Sequence, residues 1–174
     1  MTKLGDELPR LIDEWLGVDR PCDCGRRHRV GTRVVRFDDT RGEILPEVAG
    51  RLGIQPPGLI VCDASTRFAA TPIADTLRGR SFDVDLHQFA AAPLVPNEQA
   101  VDELIQTVGE AQPKCVIGVG SGTINDLCKT VATARGLPYI ACPTAASMNG
   151  YTSTVASLKR RGLKVTDSVN APDA

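Results

Sequence analysis

From residue 118 to residue 129 the chain reads Gly-Val-Gly-Ser-Gly-Thr-Ile-Asn-Asp-Leu-Cys-Lys, with three glycines at alternate positions directly after the apolar run Cys115-Val116-Ile117. Glycines there let the backbone come close to a ligand, and a helix starting next presents unpaired N–H groups to phosphate oxygens. A diphosphate fits such a turn. The spacing is not the usual dinucleotide fingerprint, because the third glycine follows the second by two residues. It is not a Walker loop either, because no Gly-Lys-Ser/Thr closes it. A tight strand–helix turn without ligand accounts for the same residues. Asp63 closes a second apolar run, where its carboxylate could accept hydrogen bonds from an adenosine ribose or cap the helix that begins at Ser65. The segment Pro143 to Ser153 is built of small polar residues. Its hydroxyls and the Asn149 amide supply donors and acceptors for an uncharged polar pocket, although a plain connector explains it too.

Other reactive residues point less clearly. Cys22-Asp23-Cys24-Gly25-Arg26-Arg27-His28 resembles half of a zinc site, but structural zinc takes about four ligands and no second Cys/His pair follows. A tight surface loop, made locally positive by Arg26, Arg27 and Arg29, is the expected reading, with no metal assigned. His87 has no evident acidic or hydroxyl partner and reads as solvated or packed. Lys129 could offset phosphate charge or lie on a solvated helix face.

The elements that must position these residues follow from periodicity. Leu59-Ile60-Val61-Cys62, residues 114–117 and residues 138–142 are continuous apolar runs of strand length, and residues 81–86 make a further strand. Helices are predicted over residues 65–77, after the Asn97 cap, and over 123–134. Earlier, Leu8, Leu11, Ile12 and Trp15 mark an amphipathic helix over 4–16, residues 30–37 favour a strand, and a short helix over 43–52 ends at Gly53. Alternating strands and helices imply an α/β fold, a Rossmann-like mostly parallel sheet with flanking helices. Residues 153–158 and 163–169 form a C-terminal β-hairpin. Every candidate residue falls just after a strand, where such sheets bind ligands.

Composition removes several function classes. The 174 residues carry 20 Lys+Arg against 21 Asp+Glu, a net charge of −1, so no excess positive field draws in nucleic acid or an anionic membrane. Aromatic residues make up 4%, too few for a base-stacking surface. No apolar run reaches spanning length and the first residues lack a signal core, so a cytoplasmic chain is expected. Six cysteines are too sparse for a disulfide scaffold, and Cys62, Cys115, Cys128 and Cys142 are expected as reduced, mostly buried thiols.

Taken together, residues 118–129 and Leu-Pro-Tyr-Ile-Ala-Cys-Pro-Thr-Ala-Ala-Ser-Met-Asn-Gly-Tyr-Thr-Ser at 137–153 resemble the sn-glycerol-1-phosphate dehydrogenase family. That family sits in the larger group of iron-containing alcohol dehydrogenases, glycerol dehydrogenase and dehydroquinate synthase. The likeness extends back through Val61-Cys62-Asp63 to the Cys-Asp-Cys-Gly start of bacterial members. It implies that residues 1–174 form an N-terminal NAD(P)-binding domain: an N-terminal extension with first strand and helix (1–56), a nucleotide-binding core (57–152) and the hairpin (153–174). The family's helical metal-binding domain, with its zinc-holding Asp and two His, is expected to be absent. The resemblance assigns NAD or NADP to Asp63, Gly120, Ser121, Gly122, Thr123, Asp126, Thr144, Ser147 and Ser153, and it aligns Asn149 with a substrate-contacting aspartate. The implied reaction of the complete enzyme is reduction of dihydroxyacetone phosphate. No residue here is assigned a catalytic role, since without metal ligands nothing polarises the alcohol oxygen. The alternatives are a non-catalytic nucleotide-binding fragment, half of a split protein, or a dehydroquinate synthase-like sugar-phosphate lyase. An uncovered hairpin and sheet face would favour a homo-oligomer.

Overall fold

The computed structural model describes residues 12–37, 42–145 and 147–174. Most of the helix expected over 4–16 therefore lies outside the described residues. The centre is a four-stranded parallel sheet of β3 (Gly58–Asp63), β4 (Val84–Phe89), β5 (Cys115–Gly120) and β6 (Tyr139–Pro143), in the order β4-β3-β5-β6. Two shorter antiparallel pairs flank it in sequence: β1 (Asp19–Pro21) with β2 (Arg27–Arg29), and β7 (Val155–Arg160) with β8 (Leu163–Ser168).

The continuous apolar strands are buried on both faces, as a parallel sheet between helices requires. Helices α1 (Leu45–Leu52) and α2 (Arg67–Gly79) pack one face with Ile60, Cys62, Val84, Ile117 and Val119. Helices α3 (Glu98–Ala111) and α4 (Gly122–Arg135) pack the other with Leu59, Val61, Phe89, Val116 and Tyr139. The expected Asn97 cap is present, its side chain accepting the Ala100 N–H at 3.0 Å. Helix α4 stops at Gly136, whose φ of 64° provides the left-handed cap. No helix among the described residues is long and apolar enough to cross a membrane.

Two expectations need correction. Residues 31–37 are not a strand of the sheet: among the described residues, their backbone–backbone bonds are limited to the Arg33 and Val34 N–H groups, both donating to the Asp173 carbonyl. Asp173 also lies along β6, donating its N–H to the Tyr139 carbonyl and accepting the Tyr139 N–H on its carboxylate. The C-terminal residues, not residues 31–37, thus lie beside β6. Nor does the sheet have a bare face, since helices cover both sides apart from a cleft of about 1200 Å³ between α1, α2 and the ends of β5 and β6. The hairpin is covered on one strand only: Ala156 and Leu158 of β7 are buried, while Leu163 of β8 is 73% exposed.

Candidate dinucleotide site at the carboxyl ends of the strands

The chain leaves β3 through α2 to β4 on one side, then returns through α3 to β5 on the other. The carboxyl ends of β3 and β5 are therefore a topological switch point, the place where open α/β sheets form a crevice. The ladder pairs Val61 with Gly118, so two residues on, Asp63 stands level with Gly120 across that opening.

The three glycines of the turn have different reasons to be there. A Cβ on Gly118 would lie 2.6 Å from the Tyr139 hydroxyl, and one on Gly120 would lie 2.5 Å from Ile124 Cγ1. Both permit close helix-on-sheet packing, which is not the ligand approach that the spacing suggested. A Cβ on Gly122 would meet nothing within 4 Å. Gly122 alone of the three faces open space at the helix start.

Ser121 is the N-cap of α4 with an extended backbone, and its side chain makes no capping bond. The first intrahelical bond is Asn125 N–H to the Ser121 carbonyl. The amides of Gly122, Thr123 and Ile124 consequently have no partner among the described residues, as expected for an uncapped first turn. Three aligned donors at the positive end of a 14-residue helix make an anion cradle. The residues fit a diphosphate: the donors are free and the space above Gly122 is empty.

The loop after β6 is held beside this turn. Thr144 donates its N–H to the Gly120 carbonyl at 3.1 Å and keeps its side chain exposed. Ser147 and Asn149 are exposed, and Met148 between them is buried, its sulfur accepting the Gly150 N–H. Ser153 is half-buried, and its Oγ accepts the Val155 N–H at 3.3 Å. Asp63 uses Oδ1 for both the N–H and the hydroxyl of Thr66, at 2.9 and 3.0 Å, which closes the turn ahead of α2; the expected cap is corrected, since the N-cap of α2 is Thr66 and no side chain caps it. Its Oδ2 has no partner among the described residues. Arg67 is engaged with Gln88 and Thr71.

Behind the open turn lies a closed polar cluster that the sequence did not reveal. Lys129 is 1% exposed, and its Nζ donates to the Val155 carbonyl at 2.5 Å and lies 3.5 Å from Asp126 Oδ1. Both expectations for Lys129, a phosphate contact and a solvated face, are corrected: the hairpin buries it. Burial pulls its ammonium below the ordinary lysine value, an effect that Asp126 partly opposes. Asp126 is turned to the hairpin, accepting the Ser157 N–H on Oδ2 at 3.1 Å. Asn125 accepts the Tyr139 hydroxyl at 3.2 Å, and a Cβ on Gly150 would lie 2.5 Å from its Nδ2. Burial pushes the Tyr139 phenol well up, so it stays a neutral donor. The only prior signal was Asn125 and Lys129 at helical i,i+4 spacing, which does not tell burial from solvation.

Three of the thiols expected to be buried are so, and Cys142 is half-buried. Burial alone pushes Cys115 up to about 12, which keeps it a protonated packing group.

A sequence model of the iron-containing alcohol dehydrogenase family matches residues 40–174. Among curated proteins, the chain is 34% identical over 173 residues to a glycerol-1-phosphate dehydrogenase [NAD(P)+] of Halalkalibacterium halodurans, covering 96% of this chain and 43% of that protein. A protein of the same name from Pyrococcus furiosus is 32% identical, covering 73% of this chain and 36% of the relative. The chain thus spans about two-fifths of the length of the relatives it matches. Among solved structures, an iron-containing alcohol dehydrogenase from Thermococcus thioreducens superposes with a TM-score of 0.68 at 19% identity, over 83% of this chain and 44% of that one. The fold and the matched segment lead to one conclusion: this chain belongs to the iron-containing alcohol dehydrogenase family.

Proposed function

We propose that this chain is the dinucleotide-binding part of an NAD(P)-dependent glycerol-1-phosphate dehydrogenase, with the pyrophosphate lying on the amides of Gly122, Thr123 and Ile124. The observation that carries the reading is that these three donors are unpaired at the switch point while the Gly120 carbonyl ties down the neighbouring Thr144 loop. Backbone donors suit a doubly charged pyrophosphate because they are fixed in direction by the helix and bring no side-chain entropy to lose. In this reading residues 1–174 are an N-terminal nucleotide domain, divided at 56 and 152 as the sequence pattern suggests.

The other residues follow by position. Asp63 Oδ2 accepts a ribose hydroxyl while Oδ1 holds the turn. Ser121, Thr144, Ser147 and Ser153 offer hydroxyls around the cofactor, and Asn149 offers an amide to substrate that donates and accepts but takes no proton. Asp126 acts from behind, holding β7 against α4 through Ser157. When bound, the dinucleotide supplies the hydride for interconverting a ketone and a secondary alcohol. The substrate by likeness to the relatives is dihydroxyacetone phosphate.

A family-type catalytic cation does not fit the described residues at these strand ends, where no group of three His, Cys, Asp or Glu side chains converges. Calorimetric titration with NADH and with NADPH, beside a dehydrogenase assay with added zinc, tests the reading. Saturable one-to-one binding of either coenzyme supports it, and absence of binding contradicts it. Binding without turnover favours the non-catalytic reading; phosphate release without net NADH oxidation favours a lyase.

A further inference from the structure

Away from the nucleotide site, the turn between β1 and β2 gathers three side chains that the function has not used. Cys22 Sγ, Cys24 Sγ and a ring nitrogen of His28 all lie within 4.8 Å of one another, and Cys24 Sγ is 3.1 Å from His28 Nε2. The backbone shapes this grouping. Cys22 donates its N–H to the Arg26 carbonyl, Gly25 donates to the Cys22 carbonyl, and Gly25 adopts a φ of 78°, which folds the chain so that both sulfurs face the histidine on β2. From sequence spacing a ligand-free loop was the expectation, because no second pair of ligands follows. The fold nonetheless brings three donor side chains together.

We propose that Cys22, Cys24 and His28 form a binding site for a divalent d¹⁰ cation of borderline softness, Zn²⁺, with the fourth position open to water. Two thiolates and an imidazole are a zinc-type donor set, and in a tetrahedral site the ligand atoms stand about 3.5–3.8 Å apart. Small side-chain rotations bring the present separations to that value. The charges also balance, since two thiolates neutralise the ion and leave no net positive centre against Arg26, Arg27 and Arg29. A second observation points the same way: β1 and β2 pair through only three residues each, and every one of those residues is exposed except the half-buried Arg20. A ribbon that short, with no buried face, is not stable by pairing alone. A metal cross-link across its turn supplies what packing does not.

The test uses the reduced full chain and the metals alone. Cobalt(II) added to metal-free protein should produce a thiolate-to-metal charge-transfer band and the visible bands of tetrahedral cobalt, displaced by one equivalent of Zn²⁺ and lost in Cys24→Ser. No such band, or an equal band in a Cys22→Ser/Cys24→Ser double variant, overturns the proposal. A second measurement on the wild-type chain needs no variant to fold. Tryptic cleavage after Arg26, Arg27 and Arg29 requires the turn to open, so free zinc at a hundred times its Kd should slow it about 100-fold. Cleavage at the same rate with and without zinc contradicts the site.

Discussion

The first turn of α4 and the two turns behind it treat polar groups in opposite ways. At Gly122, Thr123 and Ile124 the polar groups are backbone amides, left open at the mouth of the sheet. At Asn125, Asp126 and Lys129 they are side chains, each closed on a partner from β6, β7 or the preceding loop. The difference is one of cost. Free amides at a helix start remain solvated until an anion replaces water, whereas a buried ammonium must be paired in the folded protein at all times. In the proposed reading the open turn binds the coenzyme, and the closed cluster supplies the rigidity that keeps that turn in place.

The contrast can be broken at several points. Lys129→Ala removes the donor to Val155, takes the cation from Asp126 and leaves a cavity, so a loss of about 3–4 kcal/mol in urea unfolding is expected. A loss under about 1 kcal/mol would mean that the cluster does not hold the hairpin. Gly120→Ala forces a Cβ against Ile124 on its own helix and should cost about 3 kcal/mol. Gly122→Ala meets no neighbour and should leave stability within about 0.5 kcal/mol while weakening coenzyme binding. If the two glycine variants behaved alike, the separation of packing glycine from site glycine would be wrong.

A subtler effect depends on pH. The folded ammonium of Lys129 titrates below its ordinary value of 10.5, so between that lowered value and 10.5 the unfolded chain holds more protons than the folded one. Stability from this residue then rises with pH across that window. Tyr139, pushed up by burial, acts in the opposite sense above about pH 10. Comparing wild type with Lys129→Met isolates the lysine: the difference in melting temperature should move in favour of wild type as pH climbs toward 10.5, and a flat difference would refute it.

Much of the fold was legible because its signals are local. The apolar runs at 59–62 and 115–117 could bury both faces only in a helix-covered sheet, and Asn97 announces its helix by capping chemistry. What was not legible depends on distant partners. Lys129 is buried by a carbonyl 26 residues away, and Arg33 and Val34, read as part of a strand, bond instead to Asp173, 140 residues on from Arg33. The Gly-rich turn was located correctly, yet only the packed structure distinguishes Gly118 and Gly120, which make room for Tyr139 and Ile124, from Gly122, which faces the opening. The grouping of Cys22, Cys24 and His28 was not legible for the same reason, since sequence spacing counts side chains but not where a turn directs them.

The open-turn assignment is most directly tested by following the backbone amide resonances of the isotopically labelled chain during titration with NADH. The amides of Gly122, Thr123 and Ile124 should show the largest downfield shifts, saturating with the coenzyme. Shifts clustered elsewhere, with these three unmoved at saturation, would contradict the account.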